Sequence, residues 1–403
     1  MRFAPLILCG LAWAARATGE PAPLDQAVRR APSALAAQHR AEAALVRATS
    51  SGRWADPELE GMVARRETPM DEMPMWGAAL QQPLPKWGER GAQRALARAQ
   101  LDMARAEADL MAGDVAMQVA RALRERDAAQ QRRALQARVL ERTERAQAAA
   151  EARLGVGQGR IGETLALQSR ITALRLTLDQ EQQRIDEAET RVRQLLGLAD
   201  EAALPAYDAP AIDRIHAEFA PGLRMLEAQK AEADAMAAMA RASARPMTAI
   251  RIEFEREEAE EGDEDTAGIA LMTELPWNSR RYAKADVRAA LAERDGREAE
   301  ADALRRAIDA DRARAARLER LAERTRASVA ETRQRIEREY ASLINAAGSA
   351  GMQEGSSILM LLELIDRDAE LEMTRIEAET EARMARAELW PYTSLLTGEI
   401  HDE

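Results

Sequence analysis

GAALQQPLP, from Gly77 to Pro85, returns far downstream as GIALMTELP, from Gly268 to Pro276. Glycine, alanine, two leucines and the closing proline keep their places. Each copy then meets a tryptophan and runs into a long tract rich in Ala, Arg and Glu. Proline cannot continue a helix or a central strand, so each copy reads as the last residues of a strand before a strand-to-helix join. The same phrase in the same context twice points to internal duplication.

Working outward from the two copies gives the rest of the chain. Residues 57–67 and 75–85 read as a first strand hairpin, preceded by a helix over 24–51. A helix over 86–154 follows, broken by glycines at 155–162, and a return helix over 163–198. In that return helix Ile171, Leu174, Leu178, Ile185, Val192 and Leu195 keep a heptad-like rhythm. A connector with Pro205, Pro210 and Pro221 ends the first half. The order then repeats: a helix over 223–244, strands over 247–257 and 266–276, a helix over 278–347, glycines at 348, 351 and 355, and a helix over 358–390. This gives an export signal at 1–17, a first repeat at 18–205, a second at 206–390 and a tail at 391–403. The fold class is mainly α with a small β part.

Composition agrees with long helices. The 403 residues are rich in Ala, Arg and Glu, only 3% are aromatic, and the net charge is −12. The arginines interleave with acids, which disfavours nucleic acid as a partner. The N-terminus, with Arg2, an apolar run to Ala15 and Ala15-Arg16-Ala17, reads as a cleaved export signal. Cys9, the single cysteine, lies within it, so the exported chain is expected to have no thiol chemistry. At 1.5 Å per residue the 86–154 helix reaches about 100 Å and must pair with other rods.

The strand AIRIEFE, 249–255, puts Ile250, Ile252 and Phe254 on one face and Arg251, Glu253 and Glu255 on the other. Such a strand suits a soluble sheet over a core or a membrane barrel with lipid outside and water inside. No spare apolar segment exists to cover a soluble sheet. Four strands cannot close a membrane barrel and an open edge in lipid is forbidden, so a barrel demands several chains. Trp54, Trp76, Trp87 and Trp277 fall at strand ends and joins, where an interfacial belt would place them.

With this layout the chain resembles the TolC-like outer-membrane efflux protein family over nearly its whole exported length. The resemblance rests on the duplication, on QQPLPKWGERGAQR and LPWNSRRYAKADVRAAL after the second and fourth strands, and on RLGVGQGRIGETLALQSR and GSSILMLLELIDRDAELE at the return helices. It implies a homotrimer whose chains share one outer-membrane β-barrel and one periplasmic α-helical barrel. It also implies a periplasmic adaptor (membrane fusion protein) and an inner-membrane pump as partners, and a metal-efflux branch fits. Pro85 and Pro276 are then the strand-to-helix joins. Arg153, Leu154, Gly155, Gly157 and Gly159, with Gly351 and Gly355 in the second half, form the adaptor-docking tip.

The remaining candidates are weaker patterns. Gly157, Gly159 and Gly162 spell G-x-G-x-x-G, but a helix precedes them where a dinucleotide site needs a strand. The family's acidic gate positions fall on Leu361 and Leu364, near Glu363. A leucine constriction and ordinary buried packing are both open there. Met70, Met73 and Met75 in PMDEMPM could hold a soft metal or be plain loop residues. The acidic run EEAEEGDED, 257–265, reads as a solvated turn. No catalytic set and no cofactor motif stands out. Three functions remain: the exit channel of a tripartite efflux system, with heavy-metal cations as one cargo class; a type I secretion duct; and an exported periplasmic coiled-coil scaffold or adaptor.

Overall fold

The computed structural model describes residues 23–67, 72–157, 159–207, 209–257, 264–277, 279–348 and 356–396. The expected export signal, Met70, Gly351, Gly355 and residues 397–403 of the tail lie outside the described residues. In chain order come α1 (Leu24–Arg29), α2 (Pro32–Ser50), β1 (Glu58–Glu67), β2 (Glu72–Leu84), α3 (Glu89–Gly155) and α4 (Ile161–Leu196). The second half holds α5 (Pro221–Ser243), β3 (Met247–Glu257), β4 (Glu264–Glu274), α6 (Ser279–Gly348) and α7 (Ser356–Ala387). The hairpin and long-helix-hairpin unit occurs twice. The single helix expected over 24–51 is two, because Pro32 opens a new first turn.

α3 is the spine. Beside it α2 and α4 stand end to end, meeting where Gly197, at φ 64°, lets the chain leave α4 against Pro32. On its other side α5 and α7 do the same, and α6 runs along both. At 67 and 70 residues, α3 and α6 are each about 100 Å long. α6 buries every seventh residue, Ala301, Ile308, Ala315, Ala322, Val329 and Ile336. A strict seven-residue repeat on a 3.6-residue helix winds the pair left-handed.

The largest core wraps the middle of α3. Ala112, Val115, Ala116, Val119 and Leu123 pack against Leu24 and Val28 of α1, Val192 and Leu196 of α4, and Trp390 and Leu395 beyond α7. Gly113 is required there, since a Cβ would lie 2.8 Å from Pro391 Cα. A second core joins Ile215 and Leu223 to Ile308, Ala315 and Leu389. No described helix is long and apolar enough to cross a membrane.

The four strands form one antiparallel sheet in the order β1-β2-β3-β4. β2 starts at Glu72, earlier than the sequence suggested, and holds two prolines. Pro74 pairs with Arg65 of β1 where β3 does not reach, and Pro83 pairs with Ala249 of β3 where β1 is absent. Each stands where the strand has one neighbour, so its missing N–H has an unpaired side to face.

Candidate membrane and channel surfaces

Register fixes what each face of the sheet carries. Leu59, Leu80, Ile252 and Ile269 form one cross-strand row. On the same face, rows to either side hold Ile250 and Leu271, Phe254, and Val63 and Trp76. No helix covers them: Ile252 is 51% exposed and Ile269 82%. Trp76 and Phe254 touch, with ring centroids 5.7 Å apart. The opposite face carries Glu58, Glu60, Arg251, Glu253 and Glu255. Arg251 bridges to Glu60 at 2.8 Å and Glu253 at 3.4 Å.

The repeated phrase now has a local reason. Gly77, Ala79, Gly268 and Ala270 all lie on the charged face, flanking β3 on both sides. A Cβ on Gly77 would meet Glu255 Cγ at 3.2 Å, and one on Gly268 would meet Glu253 Oε1 at 3.1 Å. The small residues seat the β3 glutamates, and the leucines of the phrase face the other way.

Pro85 and Pro276 follow the last residues of β2 and β4 closely. Beyond Pro85, Gly88 turns at φ 84° into α3, and the Lys86 amide donates to Glu89 Oε2 at 2.9 Å. Arg245 Nη1 donates to the Trp87 carbonyl at 2.6 Å, tying the passage from α5 into β3 to the passage from β2 into α3.

At the far end, Gly157 (φ 78°) donates its amide to the Leu154 carbonyl. Gly159 folds so close that a Cβ would sit 2.7 Å from Leu154 N. Arg153 and Leu154 are half-buried and Gly155 is exposed. The turn also exposes Val156, Ile161 and Leu165, an apolar knob that the glycine pattern alone did not reveal. The G-x-G-x-x-G spelling is thus a helix-to-helix turn. On α7 Leu361 is buried, Leu364 half-buried and Glu363 exposed. Arg170 of α4 holds Asp366 with two hydrogen bonds, one of 2.9 Å.

Two polar assemblies escaped the sequence reading because they look like ordinary helical charge. Asp368, Glu372 and Glu379 of α7 are buried between α3 and α6. Arg142 and Arg333 donate to Asp368 at 2.9 and 2.7 Å. Arg326 and Arg375 each donate to Glu379 at 2.8 Å. Burial alone would raise the Glu379 carboxyl, but these two guanidiniums outweigh it and hold it below its ordinary value. In the middle of the rod, fully buried Asp109 accepts from the Leu396 amide at 2.8 Å, Ser394 Oγ at 3.1 Å and the Arg224 guanidinium. It clasps the tail against α3. Tyr392 adds a 2.7 Å bond to Asp311, and burial together with that carboxylate raises its phenol well above the usual value.

Among the described residues no group of acids, histidines and cysteines could hold a metal. Met73 pairs with Arg66 across the first hairpin, and Met75 joins Met62 on the charged face.

Residues 24–198 match the family model for outer membrane efflux proteins. No curated protein sequence matches the chain. Among solved structures, the outer-membrane channel OprN is 17% identical, covering 92% of this chain and 90% of its own, with a TM-score of 0.70. VceC, an outer membrane protein of Vibrio cholerae, is 14% identical over 92% and 95%, with a TM-score of 0.71. The open-state MtrE outer membrane channel of Neisseria gonorrhoeae is 16% identical over 92% and 87%, with a TM-score of 0.69. At such identities the likeness is one of fold. Residues 24–198 thus resemble the outer membrane efflux protein family in sequence, and nearly the full length of the chain shares the fold of these outer-membrane channels.

Proposed function

We propose that three copies of this chain form the outer-membrane exit channel of a tripartite efflux system. Each lends its four strands to a twelve-stranded barrel and its helices to a tube through the periplasm. The observation that carries this is the sheet: one face apolar and uncovered, one face charged, and two long edges, β1 and β4, paired on one side only. Unpaired backbone groups in lipid cost several kcal/mol each, so such a sheet must close on sister chains. The strands of 10 to 13 residues are long enough to cross a bilayer at a tilt. Conduction is passive, the pump supplies the energy, and no catalytic chemistry is asked of the chain.

The glycine turn between α3 and α4, with Val156, Ile161 and Leu165 exposed, is the natural seat for a periplasmic adaptor. Leu361, Glu363 and Leu364 lie close to this end, and Glu363 and Leu364 border the open side of α7. Soft metal cations are one cargo class compatible with this channel, since Met62 and Met75 bring thioethers to the face that would line the pore, near PMDEMPM. Cell fractionation and native mass spectrometry test the proposal. The exported chain should be extracted only by detergent from the outer membrane and should run as a trimer. A detergent-free soluble monomer would instead support the scaffold reading.

A further inference from the structure

The two ends of the sheet differ in the charge that the sequence gives them. The turn joining β3 to β4 is acidic in sequence, EEAEEGDED. The opposite end, where the strands meet the helices, gathers Arg53, Lys86, Arg245, Arg280, Arg281 and Lys284. None of these six side-chain charges forms an ion pair among the described residues. Lys86 Nζ donates to the Ser243 carbonyl at 3.3 Å and Arg245 to the Trp87 carbonyl, partners that leave the positive charges uncompensated. Acids do stand nearby, Asp56, Glu58, Glu89, Glu274 and Asp286, yet none forms an ion pair with the six side chains, and Lys86 reaches Glu89 only through its backbone amide. In the rods some arginines, Arg142, Arg326 and Arg333 among them, end on buried carboxylates, while others such as Arg133, Arg317 and Arg320 have no ion pair among the described residues. The company of exposed indoles is what sets the rim apart.

Exposed indoles share this level. Trp87 is 83% exposed and Trp277 84%, with Trp54 beside them. Lysine and arginine lay apolar stems along a surface and carry their charge to its edge, while indoles settle at a boundary between apolar and wet. Unpaired cations and indoles just below an uncovered apolar sheet therefore match a phosphate layer below acyl chains.

We propose that the helix-side rim of the sheet is a girdle that binds the headgroups of anionic glycerophospholipids in the adjacent leaflet. The inference rests on the reading of the sheet as membrane-inserted, and it adds a lipid preference that the fold alone does not contain.

The test is tryptophan quenching in vesicles of phosphatidylcholine into which brominated phosphatidylglycerol or brominated phosphatidylcholine is titrated. The full exported chain is used, with Trp76→Phe removing the indole at the other end of the sheet. The phosphatidylglycerol lipid should associate more tightly, and the preference should shrink at 1 M salt. The variant R280Q/R281Q/K284Q, whose side chains make no described contact, should lose about fivefold in relative affinity per cation removed. K86Q/R245Q should act likewise, and K86R/R245K should keep the preference. Equal quenching by the two lipids, or a preference that survives R280Q/R281Q/K284Q, would overturn the girdle while leaving the inserted sheet intact. Quenching by neither lipid would overturn both.

Discussion

Replacing Ile252 by lysine asks whether the apolar face of the sheet meets lipid or water. Ile252 is the central residue of β3, Met247–Glu257, and sits in the middle of the Leu59–Leu80–Ile252–Ile269 row. Five residues on either side, at about 3.3 Å each, give roughly 17 Å of strand. A tilt of about 40° turns that into about 13 Å of height, close to half the ~25 Å apolar band of an outer-membrane barrel. Ile252 thus falls at the midplane, where lysine costs about 2–4 kcal/mol per chain. Thr248, on the same face but near the helix-side end of the strand, lies where the cost falls to about 0–1 kcal/mol. If the face met water, a half-exposed isoleucine could become lysine within about 0.5 kcal/mol. The assay is reversible urea unfolding of the protein in phosphatidylcholine vesicles, comparing I252K and T248K with wild type. A penalty for I252K below about 0.5 kcal/mol, or one no larger than that of T248K, would refute the reasoning.

Three further outcomes follow from the packing. Asp109→Ala should cost about 3 kcal/mol in chemical denaturation, because Arg224 and the Leu396 amide lose a buried acceptor, and should expose the tail to protease; a loss under 1 kcal/mol would remove the clasp from the account. Gly159→Ala forces a Cβ onto the Leu154 backbone and should speed amide exchange across the α3–α4 turn, whereas Gly155→Ala, with open space around it, should not; equal effects would contradict the packed turn. Glu379→Gln should cost about 1 kcal/mol at neutral pH. Because the folded carboxyl lies below its ordinary 4.5, its contribution is complete above that value and is lost as pH falls through the folded value. The difference in Tm between E379Q and wild type should therefore narrow as pH falls below about 4.5 and close only below the lower folded value. A gap that stays constant would count against the Arg326–Glu379–Arg375 bridge.

The fold class was legible because its signals are local and repeated. Alternation in AIRIEFE, the two proline-terminated phrases and the helical tracts each declare their geometry within a few residues. The charge ladder was not legible. Asp368, Glu372 and Glu379 read as solvated helix charge, and only the placement of α7 between α3 and α6 shows that they are buried. The tail was silent for the same reason, since its partner Asp109 lies far away in the chain and no local rule connects Ser394 and Leu396 to it. The glycines of the repeated phrase were visible as a pattern, but their role needed the register that sets Gly77 beside Glu255 and Gly268 beside Glu253. The exposed Val156, Ile161 and Leu165 belong to the same class of omission, because apolar residues beside a glycine turn look like core until the turn is seen to project.

The most direct measurement is disulfide cross-linking between strand edges. The sequence has one cysteine, Cys9, inside the expected export signal, so engineered pairs report without background. Cysteines at Leu59, Gly61 or Val63 of β1 are combined with cysteines at Ala267, Ile269 or Leu271 of β4 and oxidised in intact membranes. Within one chain β2 and β3 separate these edges by about 14 Å, too far for a disulfide. The account predicts that at least one register links chains into covalent dimers and trimers and nothing larger. Chains that stay monomeric at every register, with strand edges that never meet, would contradict it.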